Sequence, residues 1–192
     1  MAMDDLLAQN IRDCVKTVQG VAGLSEPLNR AVELVVRCIQ GGGKVLICGN
    51  GGSAADAGHL ATEFIARFEM DRRPFAAIAL TESGSAMTAI CNDYGFEQVF
   101  ARQIRGLAKT GDVVIAITTS GKSKNVLAAL ETAREMGIGS IAFLGKGGGF
   151  TRGVATVDLL VSSDVTARVQ EAHLVLYHTL CQLVERELAG GA

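Results

Sequence analysis

KVLICGNGGSAADAGHLATEFIAR, residues 44–67, passes from an apolar run through a glycine cluster into a helical pattern, and it decides the fold. The run 45–48 has the length and β-branching of a strand buried on both faces. Gly49, Gly51 and Gly52 follow. Glycines permit positive φ and let backbone N–H groups approach a ligand closely. Ser53, with Asp56 three residues on, has the spacing of an N-cap and its acidic partner, which predicts a helix from that point. On this helix His59 and Glu63 are four residues apart and project from one face. Strand, glycine turn and helix N-terminus together predict a pocket for an anion or a polyol. The His/Glu pair adds a base or a metal-binding edge.

Outward from this stretch, short apolar runs alternate with helical patterns. Strands are expected at 45–48, 75–80, 113–117, 140–144 and 157–161. Helices are expected at 53–68, 83–91, 97–108, 123–136 and 167–189, after two leading helices at 4–19 and 26–40. Continuously apolar strands separated by helices indicate an α/β fold, a doubly wound five-stranded parallel sheet flanked by helices. The chain reads as a single domain, with a helical N-terminal extension over 1–40 and an α/β core over 44–192. Ligands of such sheets sit beyond the carboxyl ends of the strands, so the loops at 49–53, 81–83, 118–123, 145–149 and 162–166 are the ones to read for function.

The totals exclude several classes. Hydrophobic residues make up 48% of the 192, charged residues 20%, and the net charge is −2 without a basic block. Neither nucleic acid nor an anionic membrane is expected as a partner. Five cysteines without a close-spaced pair indicate no disulfide framework and no cysteine zinc site, which fits a reducing cytoplasm. The opening MAMDDLLAQN has no signal-peptide pattern, and no apolar run approaches the ~18 residues of a membrane span.

Thr118-Thr119-Ser120-Gly121-Lys122-Ser123 follows a strand and opens a helix. Hydroxyls and free N–H groups at a helix N-terminus suit a phosphate, although a capped serine-rich turn uses the same residues. Asn92 and Asp93 suit sugar hydroxyls or an ordinary turn equally well. On the last helix Gln170 and His178 are eight residues apart, roughly 80° around the axis, and can border one cleft, whereas His173 is turned about 140° from His178. Gly49 to Ala54 also fits the dinucleotide pattern G-x-G-x-x-A, with Glu82 after the second strand, but a dinucleotide has no need of His59 and Glu63. Gly121-Lys122-Ser123 is not a P-loop, because Ala116 stands where its first glycine belongs.

Four motifs in order, CGNGGSAADAGHLATEF, AICNDYGFEQVF, GDVVIAITTSGKSKNV and RVQEAHLVLYH, closely resemble the sugar-isomerase (SIS) domain family over nearly the whole chain. The resemblance is to the branch that interconverts sedoheptulose 7-phosphate and D-glycero-D-manno-heptose 7-phosphate. It implies that Asn50, Gly51, Gly52 and Ser53 line the sugar. Thr118, Thr119, Ser120 and Ser123 would hold the phosphate. Asn92, Asp93 and Arg67 would contact substrate, as would Glu63 and Gln170. It implies zinc on His59, Glu63, Gln170 and His178, with Glu63 and His178 in proton transfer. Where some relatives carry Asp three residues before the Gln, this chain has Ala167. The resemblance further implies a homotetramer with active sites at subunit interfaces. A rival branch consists of non-catalytic partners of the bacterial replication initiator that have lost catalytic residues; His59, Glu63 and His178 together speak against it. Sugar-phosphate-sensing regulators carry a DNA-binding module for which this length leaves no room.

Overall fold

The computed structural model describes residues 3–189. Two helices lead the chain, α1 (Met3–Gly20) and α2 (Ser25–Gln40). The remaining order is β1 (Val45–Gly49), α3 (Gly52–Ile65), β2 (Ala77–Ala79), α4 (Gly84–Tyr94), α5 (Val99–Leu107), β3 (Val113–Thr118), α6 (Lys124–Glu135), β4 (Gly139–Leu144), β5 (Val157–Leu160) and α7 (Thr166–Ala189). The five strands form one sheet in the order β2-β1-β3-β4-β5, and every pair is parallel. The expected fold class is therefore the observed one.

Side-chain alternation along the strands divides the core in two. Val45, Ile47, Ile115, Ile117 and Phe143 point to the face covered by α2, α3 and α7. Leu46, Cys48, Val114, Ala116 and Leu144 point to the face covered by α5 and α6. This sorting puts α3 and α7, far apart in the chain, side by side on one layer. At the sheet's lower end the carboxylate of Asp112, before β3, takes the Lys44 ammonium at 2.6 Å, the Lys44 backbone N–H at 2.9 Å and the Lys109 N–H at 2.7 Å. It locks the starts of β1 and β3 in register.

Four expectations shift at the edges. The strand expected at 75–80 is paired only over Ala77–Ala79, as suits an edge strand, although Phe75 and Leu80 stay buried. α3 begins at Gly52 with Gly51 as its N-cap at φ 58°, and neither Ser53 nor Asp56 caps it. Ser53 is buried instead, with its backbone packed so closely on Gly49 that no Cβ fits there. The helix expected over 97–108 opens with a 3-10 turn at Phe96–Gln98. Asn92 and Asp93, expected after a helix, lie in the last turn of α4, which stops at Gly95 with φ 83°. Among the described residues, no helix is long and apolar enough to cross a membrane.

His173 on α7 is wholly buried, its Nε2 3.2 Å from the Leu144 carbonyl and its ring edge-on to Phe143. Burial lowers its pKa to about 4, against the opposing pull of that carbonyl. The unfolded chain protonates this histidine near pH 6.5 and the folded chain only near 4. The stability linked to it is thus complete above about pH 6.5 and lost as the pH falls towards 4. Urea unfolding at several pH values across this window should show a shallower acid loss in His173→Leu than in the wild type.

Candidate active site

The strand order reverses between β1 and β3, and their carboxyl ends open a crevice at that point. Two turns line it. Gly51, in a left-handed conformation, swings the chain from β1 into α3, and Gly52 leaves room for the Gln170 amide, which a Cβ there would strike. Asn50 and Asn125 exchange reciprocal amide hydrogen bonds of 2.8 and 2.9 Å and bind the two turns to each other. After β3 the Thr118 hydroxyl accepts the Gly121 N–H at 3.2 Å and meets the Ser123 hydroxyl at 3.4 Å, while Ser120 accepts the Lys122 N–H at 3.1 Å. Ser123 turns towards Thr118 instead of capping α6. The N-terminus of α6 is left facing the crevice among hydroxyls, an arrangement that attracts an anion.

Along α3, His59 lies about 10 Å and Glu63 about 16 Å beyond Gly52, and both meet α7. His59 Nε2 lies 3.0 Å from Glu63 Oε1. The rings of His59 and His178 cross edge-on with centroids 5.1 Å apart. One ligand atom from each of His59, Glu63 and His178 lies within 4.8 Å of the other two. His178 Nε2 is buried with no hydrogen-bond partner. Burial lowers the His178 pKa, as does His59, against the opposing charge of Glu63, so the ring favours its neutral form. His59 is the more exposed of the pair, its side chain 44% exposed against 19% for Glu63.

Residues 8–145 match the SIS domain. The chain belongs to the SIS domain family. It is 50% identical over 189 residues to a phosphoheptose isomerase of Geotalea uraniireducens, a match covering 98% of this chain and 100% of that protein. Among solved structures, the phosphoheptose isomerase of Francisella tularensis superposes with a TM-score of 0.93 at 35% identity, over 97% of this chain and all of the other. That of Neisseria gonorrhoeae superposes with a TM-score of 0.90 at 39% identity, over 96% of this chain and all of the other.

Within this SIS domain the residues singled out from sequence fall into three groups. His59, Glu63 and His178 converge. Asn50, Gly51, Gly52, Ser53, Thr118, Thr119, Ser120 and Ser123 lie on the two crevice turns, and Gln170 reaches them over Gly52. Arg67, Asn92 and Asp93 stand exposed and are not drawn in: Arg67 bonds its neighbour's carbonyl at Glu69, and Asn92 donates to Asp93. Gly58 sits mid-helix, where a Cβ would lie 3.2 Å from Glu82 Oε1, the end of a flexible side chain.

Sequence reading missed Tyr177 and Asn125, and took Asp56 for a cap. The Tyr177 hydroxyl lies 3.0 Å from His59 Nδ1. Asp56 interacts with that hydroxyl, and its Oδ2 is buried without a hydrogen-bond partner. Burial raises the Asp56 pKa, opposed by His59 and Tyr177. A hydroxyl both donates and accepts, so Tyr177 fixes the His59 ring whichever nitrogen carries the proton. Nothing in the sequence marks this tyrosine, since an aromatic beside a histidine on an apolar helix is ordinary core.

Two imidazole nitrogens and a carboxylate oxygen, one nitrogen buried and unpartnered, fit a divalent cation with an open position. Histidine ligands depend on the group that orients their second nitrogen. Tyr177→Phe should lower divalent-cation affinity by about tenfold, read by calorimetric titration, with little change in melting temperature.

Proposed function

We propose that this chain is an aldose–ketose isomerase that converts sedoheptulose 7-phosphate to D-glycero-D-manno-heptose 7-phosphate. The convergence of Glu63 and His178 beside a neutral anion cradle carries the proposal, supported by relatives named phosphoheptose isomerase along the whole chain. The product would feed activated-heptose synthesis for lipopolysaccharide core or a related surface glycan, in the cytoplasm. A non-catalytic partner of the replication initiator would not need the paired imidazole–carboxylate set.

Isomerisation moves a proton between adjacent carbons through an enediol. The phosphate is assigned to Thr118, Thr119, Ser120 and Ser123 and the N-terminus of α6. Asn50, Gly51, Gly52 and Ser53 face the sugar chain, with Asn92, Asp93 and Arg67 assigned to its hydroxyls. Glu63 takes the proton from C1 of the ketose, and the electron pair moves to the C2 carbonyl oxygen, which takes a proton from His178. In the second half Glu63 delivers its proton to C2, and the C1 hydroxyl returns a proton to His178.

Zinc is assigned to His59, Glu63 and His178, with Gln170, whose amide lies over Gly52 in the single chain, as the fourth ligand the family resemblance adds; when bound, it would polarise the two substrate oxygens. A homotetramer is assigned as well. It is supported by α1, whose Leu6, Leu7, Ile11 and Val15 are 48%, 64%, 54% and 49% exposed in the single chain. An apolar stripe of this kind is covered in an assembly.

Incubation with sedoheptulose 7-phosphate, followed by NMR of the aldose, tests the reading. Wild type should turn over, and Glu63→Gln should lose about 10²–10⁴-fold in kcat with its fold intact by circular dichroism. Turnover at the wild-type rate in that variant would remove Glu63 as the base. Chelation should suppress the rate and added Zn²⁺ restore it; an unchanged rate would remove the metal.

A further inference from the structure

The working groups sit on two helices joined by no short connection. His59 and Glu63 ride on α3, His178 on α7, and their separation is only as fixed as the contact between those helices. One cluster of bonds fixes it at Glu63 itself. Glu185 lies two turns beyond His178, about 10 Å along α7 and roughly 20° from it around the axis, so it continues the same stripe. Its side chain is 2% exposed. The carboxylate accepts three consecutive backbone N–H groups, from Phe68 at 2.7 Å, Glu69 at 2.9 Å and Met70 at 3.0 Å. It also accepts Arg72 Nε at 2.8 Å.

Arg72 completes the connection. Its Nη2 donates to the Glu63 carbonyl at 2.8 Å and its Nη1 to the Phe64 carbonyl at 2.9 Å. Its guanidinium lies 3.8 Å over the Phe75 ring. The two carbonyls belong to the last turn of α3, where the helix supplies no donors of its own. The same loop sets Phe68 against His178, with ring centroids 5.3 Å apart. A buried carboxylate on one helix thus holds, through one arginine, the backbone of the residue that bears the working carboxylate on the other.

We propose that Arg72 and Glu185 are positioning residues of the active site: their clasp sets the distance between Glu63 on α3 and His178 on α7. The proposal rests on the isomerase reading above. Its consequence is selective. The anion cradle sits on the turn after β3 and on α6, which the clasp does not touch, so substrate anchoring survives when the clasp is cut while proton transfer suffers.

Arg72→Lys is the informative variant. A lysine keeps the charge beside Glu185 but has no planar fork to reach both carbonyls. Misplacement by about 1 Å costs up to 10²-fold in rate. Arg72→Lys should lower kcat by about 10–100-fold with KM changed less than threefold, and weaken Co²⁺ binding by about tenfold. Glu185→Gln should repeat the pattern and serves if the first variant does not fold. Ser140→Ala is the control, since it removes a buried tie between Ser140 and Thr156 at the edge of the sheet opposite β2. It should lower the melting temperature while leaving kcat and Co²⁺ affinity at wild-type values. Wild-type kcat and Co²⁺ affinity in both clasp variants would overturn the proposal, as would an equal loss of kcat in the Ser140 control. Absence of turnover in the wild type would overturn the isomerase reading instead, and the clasp would then be decided by Co²⁺ affinity alone.

Discussion

The packing of α3 against α7 on one face of the sheet is the contact on which the site depends. Tyr177 and His59 are 118 residues apart in sequence and bonded at 3.0 Å. The contact is forced by alternation in the strands. Val45, Ile47, Ile115 and Ile117 leave the sheet on the same side, and an apolar layer of that size has to be covered by helices. α3 leaves β1 on that side, and α7, entering after the last strand, covers the rest. The chemistry then needs only polar residues where these two helices face each other.

The same layer sorts the histidines. His173 and His178 share a helix and differ by little in sequence context, yet they have opposite fates. His173 points into the sheet, bonds a strand carbonyl and is held neutral far below its usual titration range. His178 points along the layer towards α3, with Nε2 buried and unpartnered. A buried nitrogen left without a partner is costly, so its retention beside a carboxylate and a second imidazole argues for a ligand or a proton there. His173 Nδ1 is likewise buried without a partner, but its ring lies against Phe143 and outside the His59–Glu63–His178 group.

Much of this was legible in the chain. Apolar runs located all five strands, because a strand buried on both faces leaves an unbroken signature. The i, i+4 spacing placed His59 and Glu63 on one face, where they meet at 3.0 Å; of the two residues read as bordering one cleft, His178 joins that pair while Gln170 lies over Gly52. Failures came where a local rule met a distant partner. Ser53 and Asp56 have capping spacing, but Gly51 turns the chain tightly enough to start the helix a residue early and send Asp56 towards Tyr177. The helix expected to reach 68 stops at 65, because Glu185 takes the N–H groups that would continue it. Asn125, Tyr177, Arg72 and Glu185 carry no sequence signal at all, since what matters about each is a partner dozens of residues away.

The two ends of the crevice are built by different means, and the difference has a chemical logic. At the cradle the donors are hydroxyls and backbone N–H groups at a helix start, with no arginine among Thr118, Thr119, Ser120 and Ser123. Such donors hold a phosphate without adding a mobile cation to the crevice. At the other end stand the Glu63 carboxylate and two imidazoles, where the proposed reaction has a proton to move. Both ends are seated on the same rigid sheet, the cradle on β3 and the carboxylate on the helix that leaves β1. β1 and β3 are hydrogen-bonded neighbours paired from Val45↔Val113 to Gly49↔Ile117. The span between phosphate and reacting carbons is therefore set by strand register and by the position of α3, not by loop closure. On the proposed reading, a fixed span would select by chain length, so that a neutral cradle without base-like or aromatic contacts would favour one sugar phosphate over a shorter one.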